Sequence, residues 1–151
     1  LADLPKITKF EDLSALEQEL VLGAWKVAEA SYSPYSKFKV GSVIQARNEA
    51  GETALFAGCN LELASWAGTI CGERAASAKA VSAGYRQFLK ASLITATVPG
   101  GSPCGLCRQT FREFGGTAME LLIIQNKQND VRRITMDELL PGSFGPEHLP
   151  E

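Results

Sequence analysis

Histidine is nearly missing from this sequence: among 151 residues there is one, His148, between Pro146 and Pro150. A Ser-His-Asp triad or a Cys-His pair would have to recruit that tail imidazole, which argues against nucleophilic catalysis of either kind. Long apolar runs are missing too. Nothing approaches the roughly 18 apolar residues of a membrane span, and Leu1 to Glu11 shows neither the charged nor the apolar region of a signal peptide. There is no basic stripe either. The 15 Lys and Arg are scattered among 17 Asp and Glu, and a net charge of -2 argues against a surface that tracks nucleic-acid phosphates. No repeat, low-complexity tract or linker-like shift of composition divides the chain. The expectation is one soluble, cytoplasmic domain over residues 1–151, with no membrane and no nucleic-acid partner.

What is present is an ordinary globular composition, 45% hydrophobic and 21% charged. A chain of this length buries about two thirds of its unfolded surface, so disulfides are not needed to hold it. Where thiols stay reduced, the four cysteines, Cys59, Cys71, Cys104 and Cys107, point to metal binding or catalysis before disulfides.

Leu13, Leu16, Leu20, Ala24 and Val27 recur at three- and four-residue steps and predict an amphipathic helix over about 12–30. The turn-rich Ser31 to Ser36 leads into a strand that begins near Phe38, and Asn48-Glu-Ala-Gly51 turns it into a second strand near Thr53 to Cys59. An Ala-rich helix follows Cys71, with Gly84 as its stop. A strand over 89–98, a helix over 104–114 and a strand over 120–125 come next. Residues 130–134 read as a last short strand, 136–140 as a short helix and 141–151 as a tail. This order predicts a layered α/β domain with a mixed sheet, whose strand order the pattern does not reveal.

Pro103-Cys-Gly-Leu-Cys107 opens one predicted helix. Residues three apart share a helix face, so both sulfurs can meet one metal, and helix N-terminal N–H groups favour thiolates. A thioredoxin-like redox pair has the same spacing at the same place, so this motif alone leaves both readings open. Cys71, with Glu73 two residues later, opens the other helix and shifts the balance: Cys-x-Glu together with Pro-Cys-x-x-Cys is the three-cysteine form of the zinc deaminase pattern. Residues two apart on a helix point about 200° apart, so a metal served from Cys71 lies ahead of the helix start rather than along its side. Two helix starts facing one ion supply three thiolates and leave the fourth tetrahedral position to water. Such a centre carries a net charge of about -1, which asks for positive compensation. Arg74 is the candidate to hydrogen-bond a thiolate, against the plainer reading of a solvated surface arginine. Cys59 reads as a small buried hydrophobe, or else as a fourth thiolate that would close the site and make the zinc structural.

Through Ser33-Pro-Tyr-Ser-Lys-Phe-Lys-Val-Gly, Gly58-Cys-Asn-Leu-Glu, Ile70-Cys-Gly-Glu-Arg, Ser102-Pro-Cys-Gly-Leu-Cys-Arg-Gln and Leu139-Leu-Pro-Gly-Ser-Phe-Gly-Pro, in family order, the chain resembles the short, single-domain cytidine deaminases. The resemblance implies a three-layer α/β/α fold around a five-stranded mixed sheet. It implies one Zn²⁺ per subunit on Cys71, Cys104 and Cys107, and Glu73 as proton shuttle. Phe38 would pack at the nucleoside, Asn60 and Glu62 would hydrogen-bond the ribose 3′-hydroxyl, and the Gly72 N–H would meet the pyrimidine O2. Phe144 would reach the base in a neighbouring subunit of a homotetramer. Gly72 stands where the family usually has Ala, Leu63 where Asn is common, and Trp66-Ala67 where Tyr-Pro is common.

The implied reaction is hydrolytic deamination of cytidine and 2′-deoxycytidine in pyrimidine salvage, with Glu73 carrying every proton. The rivals are a deaminase of another aminopyrimidine nucleoside such as blasticidin S, a thiol-disulfide oxidoreductase using Cys104 and Cys107, and a structural protein with a closed Cys₄ zinc. The redox reading leaves Cys71-Gly-Glu73 unexplained.

Overall fold

In β-strands successive side chains point to opposite faces, and here both faces of the central strands are apolar. The computed structural model describes residues 7–150. Its elements are β1 (Ile7–Thr8), α1 (Ala15–Ala28), β2 (Val40–Arg47), β3 (Thr53–Cys59), α2 (Gly72–Ser82), β4 (Gln87–Thr95), α3 (Gly105–Gly115), β5 (Glu120–Ile124), β6 (Val131–Thr135) and α4 (Met136–Leu139). Ala91, Leu93, Leu121 and Ile123 face one core with Ala76 and Ala80 of α2 and Phe111 of α3. Ile94, Leu122 and Ile124 face the other, with Leu20, Val21 and Ala24 of α1. The sheet is thus the middle of three layers, and each fully buried large aliphatic side chain contributes roughly 1.5–3 kcal/mol.

The strand order is β1-β6-β5-β4-β2-β3. β4 and β5 run parallel, with α3 as their crossover, and every other pairing is antiparallel, so the sheet is mixed. It has six strands where the sequence implied five. The extra one, β1, pairs Ile7 with Arg132 and Thr8 with Val131. Two residues carry no periodicity, and this strand is held by contacts distant in sequence. Asp130 accepts from the Phe10 N–H (3.2 Å) and pairs with Lys9 (2.9 Å).

The helices start and stop for local reasons. Ser14 caps α1 in a reciprocal box with Glu17, so the helix begins at Ala15 rather than near Asp12. Gly84, with φ +88°, ends α2 in a conformation that costs glycine little. The small side chains of α2 let it lie close on β2 and β3, where Ala76 and Ala80 are fully buried. None of the described helices is long and apolar enough to cross a membrane.

Glu17 is the polar exception on the buried face of α1. Its carboxylate pairs with Arg133 of β6 (2.6 and 2.8 Å) and Lys90 of β4 (2.6 Å), and Lys90 also pairs with Glu120 of β5 (2.8 Å). The Arg133 guanidinium, helped by Lys90 and opposed by burial, holds the Glu17 carboxyl well below the usual carboxylate range. A carboxyl depressed in the folded state stabilises the fold above its unfolded pKa and loses that contribution as pH falls toward the folded value. Glu17→Gln is therefore expected to cost about 2 kcal/mol at pH 7. In urea titrations over a pH series, the gap from wild type should narrow once pH drops below about 4. A gap independent of pH would show that the ion pairs contribute nothing.

Candidate metal centre and active site

Cys71 and Cys104 occupy equivalent places: each is the N-cap of its helix, in extended backbone, with its carbonyl accepting the first helical N–H, from Ala75 and Arg108 respectively (both 3.0 Å). Cys107 follows in the first turn of α3. The three sulfurs lie within 4.8 Å of one another, with Cys71 to Cys104 at 3.8 Å and Cys104 to Cys107 at 3.5 Å. All are free thiols. Two helix starts therefore point at one spot, and their unpaired N–H groups add partial positive charge to it. Three soft donors this close suit a tetrahedral ion such as zinc, which would leave one position open. Cys59, at the end of β3, is outside this cluster, so among the described residues no fourth thiol closes it.

The thiols share their protons unequally. Cys71 is held down to about 5 by its hydrogen bond with Cys107 and then by Arg74, whose Nη2 lies 3.8 Å from Cys71 Sγ. Cys107, donating to Cys71 and fully buried, is pushed up. Arg74 also donates to the Thr69 carbonyl (3.2 Å), which fixes the guanidinium against the loop before α2. It is thus a thiolate partner rather than a solvated surface arginine.

Glu73, in the first turn of α2, is 4% exposed. Burial pushes its carboxyl up to about 7, and the neighbouring Cys71 adds to the effect. Glu73, Cys71 and Cys104 line a cavity of about 220 Å³ together with Phe38 and Asn60. Thr69, Thr95 and Ser102 line it as well. Thr95 and Thr69 carried no sequence signal, whereas Ser102 stands two positions before Cys104 in a segment already singled out.

The other expected residues divide. Gly72 is buried at the start of α2, where a Cβ would come within 3.2 Å of Gly58 O and 3.3 Å of Val40 O, so an alanine would need a small shift of the strands. Asn60 faces the cavity, its side chain bonded to the Val40 N–H (2.8 Å) and the Phe38 carbonyl (2.7 Å). Glu62 is not among the cavity-lining residues. Its buried carboxylate accepts from the N–H groups of Tyr35 and Ser36 (both 3.1 Å) and from the Ser36 hydroxyl, the Ser36 hydroxyl being the main cause of its lowered pKa. Phe144 lies outside the cavity of its own chain, 57% exposed and stacked on His148. His148 Nδ1 accepts from the Gly145 N–H (3.0 Å), so the lone imidazole serves the tail.

A buried carboxyl beside three clustered thiols, at the mouth of an α/β sheet, defines an enzyme able to hold a metal ion. Residues 14–123 match the family model described as the cytidine and deoxycytidylate deaminase zinc-binding region. The chain is 37% identical over 132 residues to the cytidine deaminase of Sporosarcina psychrophila, covering 87% of this chain and 93% of that one. It is 36% identical to that of Halalkalibacterium halodurans, over 87% and 96%. The crystal structure of cytidine deaminase from Burkholderia pseudomallei superposes with a TM-score of 0.75 at 36% identity, covering 87% of this chain and 100% of that one. For the Mycobacterium tuberculosis cytidine deaminase the TM-score is 0.66 at 32% identity, over 87% and 99%. The chain belongs to the cytidine and deoxycytidylate deaminase family and is a deaminase enzyme.

The site depends on one backbone approach. A Cβ on Gly58 of β3 would stand 2.3 Å from Ala76 N and 2.6 Å from Gly72 O. Gly58→Ala is expected to push the first turn of α2 outward and lower zinc affinity by at least tenfold, with far-UV circular dichroism retained. Competition with a chromogenic chelator measures this, and unchanged affinity would show that α2 does not need Gly58 to seat Cys71.

Proposed function

We propose that the chain catalyses the hydrolytic deamination of cytidine and 2′-deoxycytidine to uridine and 2′-deoxyuridine, with release of ammonia, in pyrimidine salvage. The observation that carries this reading is the buried Glu73 carboxyl in the same cavity as the Cys71 and Cys104 thiols. Relatives named cytidine deaminase support the choice of base and sugar. One Zn²⁺ held by Cys71, Cys104 and Cys107 would supply the Lewis acidity that makes water a nucleophile near pH 7.

The remaining steps belong to the chain. Glu73 takes one proton from the attacking water and delivers it to N3 of the ring, then takes the proton of the new C4 hydroxyl and delivers it to the amine, which leaves as ammonia. A carboxyl poised near 7 suits both directions of transfer, since it is neither a weak base nor a weak acid at working pH. The Gly72 N–H meets the pyrimidine O2, and Phe38 covers the nucleoside. Asn60 takes the ribose 3′-hydroxyl, and Glu62 contributes at the same sugar by holding the Tyr35–Ser36 turn that leads to Phe38. The exposed Phe144 reaches a neighbouring subunit in a homotetramer, each subunit one cytoplasmic domain.

In an ultraviolet absorbance assay, cytidine and 2′-deoxycytidine should both be converted and blasticidin S left intact. Turnover of blasticidin S alone would replace this reading with its nearest rival. Glu73→Gln is expected to lower kcat by about 10³-fold or more while X-ray absorption still records three sulfurs and one light atom at zinc. Near-normal turnover would remove Glu73 from the mechanism, and four sulfurs in the wild type would make the zinc structural.

A further inference from the structure

We infer that Ser31 is a positioning residue that fixes the Asn60 amide as a pure hydrogen-bond donor toward the sugar of the substrate. The inference rests on the assignment of Asn60 to the sugar proposed above and goes beyond it in naming the group that sets its polarity.

The orientation of the Asn60 amide follows from its neighbours. The Val40 N–H can only donate, so the atom 2.8 Å from it is Oδ1. The Phe38 carbonyl can only accept, so the atom 2.7 Å from it is Nδ2. Ser31 supplies the third contact, its hydroxyl donating to the same Oδ1. Both lone-pair directions of Oδ1 are then filled, and one Nδ2 hydrogen is spent. What remains is one N–H on a residue 7% exposed that lines the cavity. Asn60 therefore recognises an oxygen that accepts, such as the 3′-hydroxyl oxygen of a nucleoside.

Ser31 is itself supported. Its Oγ lies 3.3 Å from that of Ser33, which is 8% exposed, and the one Ser31 hydroxyl proton goes to the closer of the two acceptors, Asn60 Oδ1. The carbonyl of Ser33 accepts from the Lys37 N–H (3.0 Å), which ties the pair to the turn preceding Phe38. Without the Ser31 hydroxyl, Oδ1 of the buried Asn60 keeps one free lone pair, and the amide loses one of the three contacts that fix its orientation.

The test compares the purified enzyme with its Ser31→Ala and Asn60→Ala variants on cytidine and on 3′-deoxycytidine, which differ only in the 3′-hydroxyl. For Ser31→Ala, KM for cytidine is expected to rise about five- to tenfold with kcat within about twofold, and KM for 3′-deoxycytidine to stay unchanged. The ratio of kcat/KM values for the two substrates, taken on one preparation, cancels any loss of active fraction. An equal change on both substrates, or none on either, overturns the role of Ser31. If Asn60→Ala discriminates between the substrates and Ser31→Ala does not, Ser31 alone fails. If Asn60→Ala does not discriminate, the assignment of Asn60 to the sugar fails first.

Discussion

The site exists because α2 lies on the sheet with backbone against backbone. Ala76 and Ala80 have no bulk to hold the helix off, and Gly58 has no Cβ at the point of closest approach. A helix packed on larger side chains would sit about 10 Å from the sheet, and its first turn would clear the end of β3. Here that turn comes down beside the chain that carries Asn60. Cys71, Gly72 and Glu73 are thereby brought level with the start of α3. The parallel pairing of β4 and β5 does the same for α3, because the crossover must begin at the end of β4. Two independent packing constraints converge on one small volume.

The electrostatics of that volume follow from its position. Unpaired N–H groups at a helix start favour negative charge, and the hydrogen bond with Cys107 and then Arg74 hold the Cys71 thiol low there. The carboxyl of Glu73 meets the opposite condition. It is buried, it has a thiolate neighbour, and it resists ionising. One acidic thiol, that of Cys71, and a reluctant carboxylic acid thus stand side by side. That separation suits one residue type to holding a cation and the other to moving protons.

Much of this was legible in the sequence, and the reasons differ by residue. The apolar run from Leu89, the Ala-rich run after Cys71 and the stop at Gly84 are local signals, and β4 and α2 follow them, although β4 ends at Thr95 rather than at Val98. The grouping of Cys71, Cys104 and Cys107 was readable because Cys-x-Glu and Pro-Cys-x-x-Cys, each at a helix start, together match the zinc deaminase pattern. β1 was not legible, since two residues carry no period and their partners lie over 120 positions away. Glu17 was hidden for a similar reason: it looks like any first-turn glutamate, and only the return of β6 shows that it is buried under Arg133. Glu62 was expected at the sugar, and its carboxylate is engaged with the Tyr35–Ser36 turn, which no spacing rule would have revealed. Thr95 lines the cavity only because β4 ends there.

Arg108 and Arg112, one turn apart on α3, reach different parts of the chain. Arg108 holds the Pro103 carbonyl (2.8 Å), the Ser102 hydroxyl (2.9 Å) and the Leu139 carbonyl (2.8 Å). Arg112, almost fully buried, holds the Ser143 hydroxyl (2.9 Å) and pairs with Glu147. The loop that enters the site, the helix that carries two thiols and the segment that carries Phe144 are thus tied together by two side chains of one helix. Displacing Phe144 would therefore strain the two guanidinium contacts that seat the segment against the helix whose start carries Cys104 and Cys107.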